Sequence, residues 1–123
     1  MTRPLALLLF ERLMPGSQLV NRLQDMQYRV MVVSDPEGLP DLILKEQPLF
    51  LMVDMESRTN LFGAIQRLKA ESPTRHLPII AFGPDRKTEL FEAAQKAGAN
   101  LTIGESRLAA HLPQLLSQAM EVD

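Results

Sequence analysis

Four carboxylates stand close behind short apolar runs: Glu11 after LALLLF, Asp54 and Glu56 after LFLMV, and Glu105 after NLTIG. Hard divalent cations take several oxygen ligands, so a convergence of Glu11, Asp54 and Glu56 would make a site for an ion such as Mg²⁺. Arg12 and Arg58 stand beside these residues and support the opposite reading, a cluster neutralised from within or a set of ordinary surface charges. Carboxylates that crowd together should raise at least one pKa. Asp54 also admits the plainer reading of a solvated or capping carboxylate at a strand end.

Other chemistries find little support. His76 and His111 lie far apart with no cysteine or second histidine at ligand spacing, so surface or capping histidines are expected, not zinc or a catalytic base. Gly83-Pro84-Asp85 reads as a turn and cap, because no G-x-G-x-x-G or Walker pattern follows any apolar run. The G-x-S-x-G elbow of a nucleophilic serine is also missing. The expectation is a chain with no catalytic residues, and not an enzyme.

The elements that would position these residues follow from the apolar pattern. Five runs, Leu5–Phe10, Arg29–Ser34, Leu49–Asp54, Leu77–Phe82 and Asn100–Ile103, read as strands, and three of them are nearly continuous in apolar residues, as strands covered on both faces are. Between them lie helical stripes: Leu19, Val20, Leu23 and Met26, then a short helix over Leu39–Glu46, then Leu61, Phe62, Ile65 and Leu68. A fourth helix carries Leu90, Phe91, Ala94 and Ala97, with Asp85 as its expected N-cap and Gly98 as its left-handed C-cap. A fifth is placed after Leu108, with Pro113 either opening or kinking it and Leu112, Leu115, Leu116 and Ala119 facing the sheet. Of the seven methionines, most lie inside apolar runs and fill the core, Met55 being the candidate for an exposed, adaptable contact. Alternation of strand and helix with right-handed crossovers gives an α/β fold, a flavodoxin-like (βα)5 doubly wound five-stranded parallel sheet, as one domain over residues 1–123. In such sheets chemistry sits beyond the carboxyl ends of the strands, which selects Glu11, Asp54, Glu56, Gly83, Asp85, Gly104 and Glu105.

Composition narrows the partners. At 123 residues and 46% hydrophobic content the chain can bury one core, and a formal net charge of -2 exerts no global pull on nucleic acid or an anionic membrane. It carries no basic recognition helix for DNA. Absence of cysteine fits a reducing cytoplasm, and the apolar run Leu5–Phe10 is too short to span a bilayer.

In the layout of LFLMVD, LPIIAF and AAQKAGAN the chain resembles the receiver domains of two-component response regulators over essentially its whole length. The resemblance implies a phosphoacceptor at Asp54 and a second acidic position at Glu11. It also identifies degenerate positions: Phe10 at the first acidic place, Gly83 in place of a hydroxyl residue, Glu105 in place of a lysine, and Thr102 where many members carry an aromatic switch. Ser57 and Arg58 replace the Met-Pro that follows the acceptor. Phe10 cannot ligate a metal, Gly83 removes the hydroxyl that would hold a phosphoryl oxygen, and Glu105 reverses a charge worth about 4 kcal/mol at ~4 Å in an effective dielectric near 20. A degenerate receiver is therefore expected, acting in signal transduction largely independently of phosphorylation. By the family's habit it would dock through the face of the fourth helix, fifth strand and fifth helix, here Arg86, Lys87, Glu89, Glu92, Ala93, Lys96, Thr102, Arg107 and His111. The expected partner is a protein, such as a signalling kinase, output domain or regulator, or a second copy. The alternative is a phosphorylatable receiver with Mg²⁺ near Glu11, and a small-ligand module on the same fold ranks last.

Overall fold

The computed structural model describes residues 3–10, 13–56 and 61–120, with the backbone alone for 13–15. Its strands are β1 (Leu5–Leu9), β2 (Arg29–Val33), β3 (Phe50–Asp54), β4 (Ile79–Gly83) and β5 (Leu101–Gly104). Between and after them run α1 (Leu13–Asp25), α2 (Leu39–Glu46), α3 (Leu61–Ala70), α4 (Thr88–Ala97) and α5 (Glu105–Met120). The strands form one parallel sheet in the order β2-β1-β3-β4-β5, which is the flavodoxin-like arrangement.

Every residue of β1, β3 and β4 is buried, as their unbroken apolar character requires of strands sandwiched between helices. Alternation splits them between two cores. Leu7, Leu9, Leu51, Val53, Ile79 and Ala81 pack under α2, α3 and α4, whereas Ala6, Leu8, Phe50, Met52, Ile80 and Phe82 pack under α1 and α5. The edge strand β2 is partly exposed, with Val32 open to solvent. Among the described residues no helix is long and apolar enough to cross a membrane.

Local signals held at most ends. Helix α4 stops at Gly98, whose φ of 112° is natural to glycine and whose N–H reaches the carbonyls of Ala94 and Gln95. A Cβ there would also lie 3.0 Å from Cγ of Lys69. Helix α2 stops at Gln47 in the same left-handed region, its N–H donating to Ile43 O at 2.9 Å.

Three expectations need correction. Asp85 does not cap α4, which begins at Thr88 after Lys87; its carboxylate instead accepts from the backbone N–H of Ser106 at 3.3 Å and from the Ser106 hydroxyl, so it caps α5. With that cap supplied from another loop, α5 starts at Glu105, ahead of the expected start after Leu108. Pro113 does break α5, and the kink falls at His111 (φ −130°, ψ 30°). Met55, expected as an exposed contact, is 3% exposed and lies in the core under α2, α3 and α4.

Candidate functional site

The carboxyl rim of β3, β4 and β5 gathers Asp54, Gly83, Gly104 and Glu105 at one end of the sheet, with Gly83 and Gly104 opposite each other in register. Asp54 ends β3 with no exposed surface, which overturns the solvated reading. Its Oδ1 accepts the backbone N–H of Glu56 at 2.9 Å, a local turn of the kind aspartate makes two residues ahead. Glu56 in turn is gripped by Lys87 from the loop before α4, with Nζ 2.9 Å from Oε1 and 3.0 Å from Oε2. Lys87 was expected on the docking face, but its ammonium is engaged at the rim.

Phe10 lies beyond β1, its N–H donating to Val33 O at 3.3 Å. Its ring packs so closely on α1 that a Cβ at Gly16 would come within 2.3 Å of it, so this position contributes an apolar wall. At Gly83 a Cβ would meet Cε of Met55 at 3.2 Å. A side chain there would press on the buried methionine, whose methyl would have to give by a few tenths of an ångström. At Gly104 a Cβ would collide with Oδ1 of Asp85 at 2.1 Å, so the Asp85–Ser106 contact depends on that glycine. The Ser106 hydroxyl and backbone N–H hold the exposed Asp85 carboxyl below its ordinary pKa.

Mg²⁺ demands near-octahedral oxygen ligation. Among the described residues several candidate ligands are already engaged: Asp54 Oδ1 faces an N–H and both Glu56 oxygens face an ammonium, while Phe10 offers no donor. No group of three or more histidine or carboxylate side chains suitable for a metal occurs among the described residues, which include Asp54 and Glu56 of the expected set but not Glu11. Glu11, Arg12, Ser57 and Arg58 lie outside the described residues.

Of the expected docking residues, Arg86, Glu89, Glu92, Lys96, Arg107 and His111 are exposed, and Ala93 and Thr102 are half-buried. Thr102 is tethered to α4, its Oγ1 accepting from Gln95 Nε2 at 3.1 Å. His76 is likewise exposed, as expected of a surface histidine. Sequence reasoning missed both loop attachments, Asp85 to Ser106 and Lys87 to Glu56, because they join residues 21 and 31 positions apart.

No family model matches the chain, and no curated protein sequence matches it. Solved structures do. A candidate response regulator of Chloroflexus aurantiacus superposes with a TM-score of 0.85 at 17% identity, covering 98% of this chain and 100% of that one. The receiver domain of the sensor histidine kinase PA1611 of Pseudomonas aeruginosa, with a magnesium ion coordinated in its active site cleft, gives 0.84 at 19% identity over 97% and 98% of the two chains. The chemotaxis response regulator CheY4 of Vibrio cholerae gives 0.80 at 16% identity over 96% and 99%. At these identities the likeness establishes the fold, which is of the receiver type.

Proposed function

We propose that this chain is a degenerate receiver domain that works in signal transduction by docking a protein partner, without catalysis and without needing a phosphoryl group on Asp54. The enclosure of Asp54 carries this reading. An acceptor carboxylate with no exposed surface and one oxygen already engaged by Glu56 N–H presents no open oxygen to a phosphodonor. The rim around it adds further reasons: an ammonium on Glu56, a glycine crowded by Met55 at position 83, and glutamate at position 105. Phosphoryl transfer is catalysed chiefly by positioned cations and donors, and losing them together removes the means to make or sense an aspartyl phosphate.

The docking surface is the exposed part of α4, β5 and α5: Arg86, Glu89, Glu92 and Lys96 on α4 and its approach, and Arg107 and His111 on α5. Their mixed charges suit a polar rim that sets register with a partner of opposite pattern, whether a signalling kinase, an output domain, a regulator or a second copy. The reading places the domain in the cytoplasm and assigns it no nucleic acid.

Incubation with acetyl phosphate and Mg²⁺, followed by intact mass spectrometry, tests it. The expected result is an unmodified chain and an unchanged amide spectrum around Thr102. A phosphoryl adduct that Asp54→Asn abolishes would restore the alternative of a phosphorylatable receiver with Mg²⁺ at the rim.

A further inference from the structure

The loop between β4 and α4 is only four residues long, from Pro84 to Lys87, yet it is fastened to two different neighbours. Asp85 reaches forward to the first turn of α5, where its carboxylate takes the N–H and the hydroxyl of Ser106. Lys87 reaches back to Glu56, two residues past the end of β3, with both carboxylate oxygens within 3.0 Å. Inside the loop Lys87 N–H donates to Pro84 O at 3.1 Å, and Leu90 N–H donates to Lys87 O at 3.0 Å, so the fastened segment is continuous with the start of α4. Any displacement of the loop toward one neighbour must break its bond to the other.

We infer that this loop is a two-sided clasp, in which Lys87 is the resident counterion of Glu56 and Asp85 the cap of α5, and that the clasp holds the start of α4 in place with no bound cation or phosphoryl group. That it thereby presets the docking face rests on the function proposed above. The two halves differ in kind. Lys87 and Glu56 are 40% and 26% exposed in their side chains, so salt screens their attraction. The Asp85 half is a set of short-range hydrogen bonds at a helix N-terminus, which salt weakens less.

Native-state hydrogen exchange on the full chain tests the clasp, with the Leu90 amide as reporter and the Leu51 amide in β3, which donates to Pro78 O, as the core reference. Lys87→Met should speed Leu90 exchange roughly two- to fivefold relative to Leu51, the range of a partly exposed ion pair. Asp85→Ala should speed it roughly two- to tenfold, the range of a lost cap. High salt should reproduce the Lys87→Met effect in the wild type and add nothing in that variant. Unchanged Leu90 exchange in both variants would overturn the inference, and so would equal acceleration of Leu51. Millimolar Mg²⁺ that brings wild-type Leu90 exchange up to the Lys87→Met rate would overturn it too, because the cation would then own Glu56. The outcome is separable from the docking reading: a failed clasp beside an Asp54 that refuses phosphate leaves that reading standing, and a modified Asp54 beside an intact clasp does the reverse.

Discussion

Arg22 of α1 donates through Nη1 to the carbonyl of Ala109 in α5 at 3.3 Å. Ala109 lies four residues before Pro113, which has no N–H to return to it, so the helix leaves this carbonyl without its usual donor. A side chain from the neighbouring helix supplies what the proline withholds. The contact also spans the apolar groove between α1 and α5, floored by Leu19, Leu108 and Leu112.

Arg22→Met should therefore lower stability by about 1 kcal/mol, the net worth of one hydrogen bond. In a Pro113→Ala background the residue at 113 regains an N–H for Ala109 O, and the penalty of Arg22→Met should shrink. Urea denaturation of the four proteins forms the double-mutant cycle. Equal penalties in both backgrounds would show that Arg22 is not compensating for Pro113.

Gly83→Thr, the substitution that would place a hydroxyl at the rim, should destabilise by roughly 1–3 kcal/mol, because its Cβ meets Met55 Cε in an already filled core. Adding Met55→Ala should recover part of the loss attributable to overlap. Thermal melts of the single and double variants give the comparison.

The pH dependence of stability should carry the mark of Asp85. Its pKa in the folded state lies below the ordinary carboxylate value, first through the Ser106 hydroxyl. Its contribution is thus complete above the unfolded-state pKa of about 3.9 and is lost as acid protonates the folded group below that value. Ser106→Ala should flatten that acid limb and leave the stability difference between pH 6 and pH 8 untouched, as urea titrations across roughly pH 2 to 8 would register.

Gly98→Ala should cost about 1 kcal/mol or more, since alanine is strained at a φ of 112° and its methyl would press on Lys69. The Lys69 ammonium is fixed by Leu77 O at 2.7 Å and Arg75 O at 3.2 Å, so the side chain cannot simply swing aside. Denaturant midpoints of the two proteins measure the loss.

The fold was legible because strand and helix signals are local: unbroken apolar runs such as FLMV and stripes such as Leu61, Ile65 and Leu68 each declare their burial within a few residues. The same locality misassigned Asp85, whose position before a helix suggests an N-cap although its partner belongs to the next helix along. It also left α5 starting too late, because the cap that permits an earlier start arrives from a loop. The rim was legible as a set of residue types but not as a set of contacts. Nothing near Lys87 in the chain points to Glu56, and nothing near Met55 says that it stands over Gly83. One distant contact did leave a trace: a proline within a helix implies an orphaned carbonyl four residues back, which identifies Ala109 but not the arginine that serves it.

Gly83 and Gly104 face each other across the last rung between β4 and β5, and each lacks a side chain where another residue crowds in, Met55 at one and Asp85 at the other. A side chain at Gly104 would collide with the Asp85 carboxylate, whereas one at Gly83 would ask the Met55 methyl to give by a few tenths of an ångström, so the two facing positions tolerate added bulk unequally.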